Sequence, residues 1–247
     1  MLIKSKIKYI QTLSQKKVRD EAGLFMAEGP KIINELLTAG NTPLESLYYL
    51  PEWAEQHGSL LDSLTGSDIT EVSVQEMERI SALSSPSSVL GIFKKPQFPS
   101  NWQPEGKIGL ILDAIQDPGN IGTIIRSADW FGVSYIICHG DCADAFNPKV
   151  VQSTMGSLTR IRMIYGNALD FLQQHPSVPV YAALLEGNSI YKMEKLKEGI
   201  IMIGNESKGL RPELLAGKFT PITIPGKGGA ESLNAAVATS VILSHLI

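Results

Sequence analysis

The chain has 247 residues, of which 43% are hydrophobic and 19% charged, with a formal net charge of −3. This composition fits a soluble protein with one large domain or two smaller ones. No apolar run is long enough to span a membrane or to form a signal peptide, which excludes a membrane partner and favours a cytoplasmic protein.

The charge is distributed unevenly along the first third of the chain. Residues 1–19 carry six basic and no acidic side chains, whereas residues 20–79 carry twelve acidic side chains against two basic ones. Clustered Lys and Arg side chains can bind and neutralise the phosphates of an RNA backbone. A solvated helix face beside an acidic body explains the same charges equally well. The candidate RNA-binding residues are Lys6, Lys8, Lys16, Lys17 and Arg19.

Apolar patterns before residue 94 alternate between helix and strand. They predict helices at 5–13 and 30–38, strands at 24–27 and 47–50, and further elements near 69–72, 74–82 and 89–93. This is the pattern of a small α/β domain over residues 1–94. Three prolines within residues 95–106 then predict a linker to a second domain at 107–247.

The second domain shows a clearer alternation of short apolar strands and helices. Its predicted strands are 108–113, 134–138, 160–164, 178–185, 200–203 and 222–224, and its predicted helices are 119–131, 148–157, 168–174 and 233–246. Asn147 is the expected cap of the helix that Pro148 opens. This order predicts an α/β fold with a mostly parallel sheet and helices on both faces.

Three polar, glycine-containing blocks follow predicted strands, at residues 117–126, 204–209 and 226–234. The carboxyl ends of parallel strands share one edge of a sheet, and ligands bind there. Glycines and short polar side chains also let backbone approach a ligand closely. The three blocks therefore predict one composite site.

Several familiar sites are disfavoured. Gly204 and Gly209 have the spacing of a phosphate loop, but Leu210 and Arg211 stand where that loop needs Lys and Ser or Thr. No dinucleotide-binding glycine motif follows a strand, which disfavours a dinucleotide cofactor. No nucleophile elbow is present, which argues against a hydrolase. Cys138-x3-Cys142 lacks a second ligand pair, so we expect free thiols rather than a zinc site, and no metal.

The three blocks resemble the motifs of the SpoU, or TrmH-type, RNA 2′-O-ribose methyltransferases of the SPOUT superfamily. The matching patterns are Asp-Pro-Gly-Asn-Ile-Gly-x3-Arg at 117–126, Gly-Asn-Glu-x2-Gly-Leu at 204–210 and Ile-Pro-Gly-x4-Glu-Ser-Leu-Asn-x3-Ala at 224–238. Residues 16–29 resemble the start of the RNA-binding domain of the ribosomal-RNA branch. The resemblance implies a deep trefoil knot in the second domain and S-adenosylmethionine bound among the knotted loops.

The resemblance also implies which residues form the site. Backbone groups of the loops would bind the cofactor, and the implied positions are Leu184, Glu186, Gly187, Ile203, Gly204, Asn205, Ile224, Pro225 and Leu233. An apolar slot with main-chain donors suits an adenine without adding charge near the sulfonium.

Arg126 is the implied catalytic residue, because a guanidinium can bind a substrate phosphate and stabilise a developing alkoxide. Its implied partners are Asn120, Glu206, Ser232 and Asn234. Simpler roles stay open for three of them. Asn120 is a candidate helix cap, Glu206 a candidate solvated turn carboxylate, and Ser232 a candidate cap of the last helix. Asp117 is assigned to a turn before Pro118.

The last predicted helix is apolar on more than one side, which favours burial and, by resemblance, a homodimer. The combined prediction is an S-adenosylmethionine-dependent RNA 2′-O-methyltransferase. Ribosomal RNA is favoured over transfer RNA because of the added N-terminal domain. The alternatives are a transfer-RNA enzyme, a non-catalytic RNA-binding protein of the same fold and, more distantly, a methyltransferase of small nucleosides.

Overall fold

The structure is a computed structural model that describes residues 2–64, 66 and 68–247. The chain forms two compact units. The first comprises Met1–Phe98 with Phe146–Thr159, and the second comprises Pro99–Ala145 with Arg160–Ile247. None of the helices in the described ranges is long and apolar enough to cross a membrane.

The first unit is built on a four-stranded sheet in the order β1-β4-β2-β3. Strand β4 runs antiparallel to β1 and β2, whereas β2 and β3 are parallel. The elements are α1 (Lys4–Thr12), α2 (Lys16–Ala22), β1 (Leu24–Glu28), α3 (Pro30–Ala39), β2 (Leu44–Tyr49), α4 (Pro51–Ser63), β3 (Asp68–Glu71), α5 (Val74–Ile80) and β4 (Val89–Lys94). The predicted helices and strands of this region are present, and the undecided segment 74–82 is helical.

Helices α2 and α4 were not predicted. Helix α2 is short and ends at Gly23, whose φ of 66° is the left-handed conformation that glycine adopts without strain. Helix α4 begins at Pro51 and buries one of its described side chains, Trp53. With so few buried positions, neither helix leaves an apolar repeat in the sequence.

The second unit is built on a six-stranded sheet whose strand pairs are all parallel, in the order β10-β8-β9-β5-β6-β7. Its elements are β5 (Ile108–Asp113), α6 (Pro118–Trp130), β6 (Tyr135–His139), β7 (Arg162–Tyr165), α8 (Ala168–Gln174), β8 (Val180–Ser189), β9 (Gly199–Ile203), β10 (Thr220–Thr223) and α9 (Ala235–Leu246), and α7 (Pro148–Thr154) follows β6 in the chain but belongs to the first unit. The predicted parallel α/β architecture is confirmed.

Residues 146–159 differ from the sequence-based division, which placed them with the second domain. The ring of Phe146 lies 5.3 Å from that of Phe25 in β1. Asn41 donates a hydrogen bond of 2.8 Å to the carbonyl oxygen of Thr159. These contacts join elements far apart in sequence, and no local pattern encodes them. The predicted cap of α7 is confirmed, because Asn147 Oδ1 accepts from the N–H of Lys149 at 3.0 Å.

Strand β8 has an irregular register against β10. Thr220 and Pro221 pair with Tyr181 and Ala182, whereas the next residue, Ile222, pairs with Asn188. Five residues of β8, 183–187, therefore leave the regular ladder on this side. The excursion lies beside the loops that follow β9 and β10.

The last helix, α9, packs against α6. Ser127 and Ser240 share a hydrogen bond of 2.8 Å between the two helices. The end of α9 is tied to the segment after β8, because Leu196 N–H donates to the carbonyl oxygen of Leu246 at 2.7 Å. The buried side chains of α9 lie on one face of the helix, whereas Val237 on the opposite side is 49% exposed, so the predicted burial on more than one side is not found in the single chain. The trefoil knot stays a prediction of the family resemblance.

Candidate active site

A cavity of about 890 Å³ lies where the strands β8, β9 and β10 end. Its walls are formed by the excursion in β8, the loop after β9, the loop after β10 and α9. The residues that line the cavity are 183–185, 203–210, 222–228, 230–233, 235, 238 and 242. Its size is that of small-molecule sites in proteins. Its position matches the prediction that ligands bind at the carboxyl edge of this sheet.

Seven of the nine positions proposed for cofactor binding line this cavity: Leu184, Ile203, Gly204, Asn205, Ile224, Pro225 and Leu233. Glu186 and Gly187 are not among the lining residues. Gly187 packs closely against β10, because a Cβ at this position would lie 2.8 Å from the carbonyl carbon of Pro221 and 2.9 Å from the nitrogen of Ile222. The absence of a side chain there allows β8 and β10 to approach.

The loop after β9 is a closed hairpin. Asn205 and Gly209 exchange backbone hydrogen bonds of 3.2 and 2.8 Å. A Cβ on Gly204 would lie 2.3 Å from the carbonyl carbon of Gly209, so the hairpin closes only over a glycine. Asn205 Oδ1 accepts from the N–H groups of Ser207 and Lys208 at 3.0 and 3.3 Å. These bonds fix the loop that presents Glu206.

The three motifs meet in a chain of side-chain hydrogen bonds. Asn120 Nδ2 donates to Glu206 Oε1. Asn120 Oδ1 in turn accepts from Asn234 Nδ2 at 2.9 Å. One residue comes from each sequence block, so the predicted composite site exists in the fold. Residues 114 and 86 positions apart in the chain are thereby brought together.

The helix caps in this region differ from the sequence-based alternatives. Asp117 caps α6, since its Oδ1 accepts from the N–H of Asn120 at 2.8 Å. Asn120 therefore lies inside the first turn, and the proposal that it caps the helix is wrong. Asn234 caps α9 by accepting from the N–H groups of Ala236 and Val237. The alternative role of Ser232 as that cap is also wrong.

The side chains of Ser232 and Arg126 have no hydrogen bond within the part of the chain that the structure describes. Ser232 lines the cavity and is exposed. Arg126 is exposed on α6 and does not line the cavity. It follows Asn120 by six residues, which places it about 9 Å further along the helix and about 120° around it. Arg126 and Asn120 therefore point in different directions.

The two cysteines are free thiols that lie within hydrogen-bond reach of each other. The pKa of Cys138 is raised well above its usual range. The main cause is a hydrogen bond from its thiol to Cys142, and burial contributes less. Cys142 Sγ lies 3.2 Å from the carbonyl oxygen of Leu112 and 3.3 Å from that of His139. Residues 2–64, 66 and 68–247 contain no cluster of three or more His, Cys, Asp or Glu side chains suited to a metal.

The basic residues proposed for RNA binding fall into different environments. Arg19 is 1% exposed and donates to the carbonyl oxygens of Leu13 and Ser14 at 2.8 and 2.7 Å. Its guanidinium stabilises the end of α1 and is not available to RNA, contrary to the prediction. Lys6 pairs with Asp68 at 2.9 Å, and this hydrogen bond raises the pKa of Lys6. Lys17 lies 3.9 Å from Glu21.

Lys8 and Lys16 are exposed and stay candidates for phosphate contacts. Sequence reasoning overlooked three other charged residues that line the cavity: Lys208, Lys227 and Glu231. All three lie inside or beside the motif blocks, so their neighbourhood in the sequence was the available signal. Their side chains give the cavity mouth both signs of charge.

Two family models match the chain. Residues 107–244 match the SpoU rRNA Methylase family, and residues 4–91 match the MRM3-like substrate binding domain. The two matches cover the regions predicted as catalytic and RNA-binding domains. They confirm the family resemblance read from the motifs.

Curated relatives and solved structures agree with these matches. The chain is 29% identical to the 23S rRNA (guanosine(2553)-2′-O)-methyltransferase RlmP of Bacillus subtilis, over 98% of this chain and 95% of that protein. It is 28% identical to the 23S rRNA (uridine(2479)-2′-O)-methyltransferase of Streptomyces viridochromogenes, over 95% and 86%. An AdoMet-bound rRNA methyltransferase from Sinorhizobium meliloti superposes with a TM-score of 0.87 at 35% identity, over 100% of this chain and 95% of that one.

Proposed function

The chain belongs to the SpoU rRNA methylase family, and on this premise we propose that it transfers a methyl group from S-adenosylmethionine to a ribose 2′-hydroxyl of ribosomal RNA. The observation that carries the proposal is the hydrogen-bonded chain of Asn120, Glu206 and Asn234 close to the cavity. It unites all three motifs at one place, as a shared catalytic task requires.

The cavity residues fit S-adenosylmethionine. Apolar side chains of Leu184, Ile203 and Leu233 offer a surface for an adenine, and the hairpin after β9 offers main-chain groups. A structural neighbour is named as AdoMet-bound, which supports the same assignment. When bound, this cofactor supplies a methyl group already activated by its positive sulfonium. The protein must then mainly align the nucleophile and assist its proton loss.

We assign the orientation of the ribose to the polar chain. Asn120 donates one Nδ2 hydrogen to Glu206, and its Oδ1 accepts from Asn234. These two hydrogen bonds fix the plane of the Asn120 amide. The second Nδ2 hydrogen of Asn120 and the hydroxyl of Ser232 are then available to hydrogen-bond ribose oxygens. Such groups hold the 2′-oxygen in line for attack without having to reorient during the reaction.

Arg126 is assigned to the substrate phosphate and to the developing alkoxide. Its guanidinium offers planar, paired donors, and it stays charged at every physiological pH. The proton of the hydroxyl passes to phosphate or water, because a guanidinium does not readily give up a proton to become a base. The Arg126 side chain is exposed and has no partner among the described residues, so its guanidinium is available to bind an anionic ligand.

We further propose a homodimer in which Arg126 serves the site of the partner subunit. Arg126 points away from Asn120 on its own α6, so a second copy is the direct way to bring both to one ribose. Exposed apolar side chains on α6, on α9 and in the segment before α9 support a subunit interface. They include Trp130 at 83% exposure, Val237 at 49% and Leu233 at 46%.

The preference for ribosomal RNA rests on the first unit and on the relatives. Residues 4–91 match a substrate-binding domain model, and two relatives are named as 23S rRNA enzymes. Those two relatives act on different nucleotides, a guanosine and a uridine. The target nucleotide is therefore not transferred to this chain. Contacts to RNA shape and phosphates would select it.

Mapping 2′-O-methyl sites in total cellular RNA, with and without the gene, tests the proposal. We expect the loss of methylation at a ribosomal-RNA ribose and its return when the wild-type gene is restored. Restoration with an Asn120→Ala gene is the control and should fail. Loss at a transfer-RNA position would favour the transfer-RNA alternative, and an unchanged map would favour a binding protein without activity.

A further inference from the structure

A buried carboxylate beside the hairpin loop, outside the polar chain, is paired with a partly exposed arginine. Asp113 is the last residue of β5 and is completely buried, with 0% exposure. The main-chain N–H of Arg211 donates to Asp113 Oδ2 at 2.8 Å, and Arg211 Nε lies 3.0 Å from Asp113 Oδ1. One residue thus supplies both the backbone donor and the countercharge that a buried carboxylate needs.

The Arg211 guanidinium occupies the space that a side chain at Gly140 would fill. Gly140 lies in the turn after β6 and has a φ of 64°. A Cβ on Gly140 would lie 2.0 Å from Arg211 Nη2 and 2.7 Å from its Cζ. The guanidinium therefore lies directly against the backbone of Gly140, between this turn and β5.

The opposite end of the same loop is fastened to the next residue of the chain. Asn205 Nδ2 donates to the carbonyl oxygen of Ala114 at 3.0 Å. Ala114 follows Asp113, and its N–H donates to the carbonyl oxygen of His139 at 3.0 Å. Residues 205 and 211 are thus both tied to the end of β5, and the hairpin between them presents Glu206.

From this geometry we propose that Arg211 is a positioning residue for the candidate active site. By clamping the end of the hairpin to Asp113, it holds Glu206 against Asn120 and holds the hairpin as a wall of the cavity. Arg211 touches neither substrate nor cofactor in this proposal. The consequence for methyl transfer rests on the proposed function, whereas the consequence for loop order does not.

The clamp is best tested by displacing the guanidinium rather than by deleting it. Arg211→Ala would leave the buried Asp113 carboxylate without its countercharge and endanger folding. Gly140→Ala keeps both charges and places a methyl group in the space of the guanidinium. Gly132→Ala is the matched control, because Gly132 has a similar φ of 76° and no atom within 4 Å of the added Cβ.

Hydrogen exchange of the cofactor-free protein and calorimetric titration with S-adenosylmethionine provide the readouts. In Gly140→Ala we expect exchange of the 205–210 amides to accelerate about tenfold, while amides of the first unit keep their rates. We expect affinity for S-adenosylmethionine to fall about tenfold. Gly132→Ala should stay within about twofold of wild type in both measurements.

Wild-type exchange and affinity in a folded Gly140→Ala protein would overturn the proposal. If that variant does not fold, Arg211→Lys decides, because it keeps the charge and the main-chain donor but not the planar fork. The same local acceleration is expected there, and its absence would reject the clamp. Wild-type protein without methyl transfer to 23S rRNA would contradict the proposed function alone, since loop exchange is read without substrate.

Discussion

The planar fork of Arg126 is the feature that our mechanism requires of this side chain. Arg126→Lys keeps the positive charge but loses the paired donors. We expect kcat to fall about 10- to 100-fold, which corresponds to about 1.4–2.7 kcal/mol of transition-state stabilisation. Labelled methyl transfer to 23S rRNA measures the loss.

The affinity of the same variant for S-adenosylmethionine is the internal control. Arg126 does not line the cavity, so we expect the dissociation constant to stay at its wild-type value. Near-normal turnover in Arg126→Lys would show that charge alone suffices and would contradict bidentate positioning.

Asn234 has two separable roles, one in stability and one in the site. Its Oδ1 caps α9, whereas its Nδ2 donates to Asn120. Asn234→Asp keeps an oxygen at the cap, where negative charge is favourable, but loses the donor. Asn234→Ala loses both, and losing a cap costs about 1 kcal/mol.

We therefore expect both variants to lose at least about tenfold in kcat, while only Asn234→Ala loses stability. Urea unfolding and methyl-transfer kinetics on the same preparations separate the two effects. Wild-type turnover in Asn234→Asp would mean that the link between Asn120 and Asn234 has no part in catalysis.

Among the elements, the strands of the second unit were the most predictable. The six predicted strands correspond to β5–β10. The central strands β5, β6 and β9 are completely buried, and strands buried on both faces are short continuous apolar runs. Helix α4 and the irregular register of β8 were not predictable. The former buries a single described side chain, and the latter depends on a partner strand more than thirty residues away. The polar motifs identified the loops, but not the hydrogen bonds between them.

Glu28 joins two elements of the first unit and makes their packing sensitive to pH. It ends β1, is 3% exposed, and accepts hydrogen bonds from Ser81 Oγ at 2.6 Å and from the N–H of Ala82 at 2.8 Å. Burial raises the pKa of Glu28 above its usual range. The folded state thus keeps this proton to a higher pH than the unfolded state.

The contribution of Glu28 to the free energy of unfolding is complete below the ordinary pKa of a carboxyl group. It is lost as the pH rises through the raised pKa of Glu28 in the folded state. Glu28→Gln removes this titration, keeps an oxygen that accepts from the N–H of Ala82, and places an NH2 group that can donate to Ser81 Oγ. We expect the stability of the variant relative to wild type to increase from about pH 4 to about pH 7.5 in urea unfolding. An unchanged difference at the two pH values would show that Glu28 does not titrate as proposed.

For the molecule as a whole, the proposed homodimer makes each active site dependent on two chains. Arg126→Ala and Asn120→Ala should each be inactive alone. Mixed after reversible dissociation, they should regain about a quarter of wild-type activity, because half of randomly paired twofold dimers carry one intact site of two. Sedimentation confirms that the mixed species are dimers.

No recovery in such mixed dimers would place Arg126 in the site of its own subunit. The grouping of residues 146–159 with the first unit shows why this scale is the hardest to infer from sequence. That grouping depends on contacts such as Phe25 with Phe146, which no periodic pattern records. The same holds for the association of two copies.

The most direct test of the account uses purified protein, S-adenosylmethionine and 23S rRNA from cells that lack the gene. After reaction, the RNA is digested to nucleosides, and the methylated product is identified by mass and retention. We predict one 2′-O-methylated nucleoside, approaching one per 23S rRNA molecule, and none with the Asn120→Ala protein. A methyl group on a base, or no transfer by folded protein that binds the cofactor, would contradict the account.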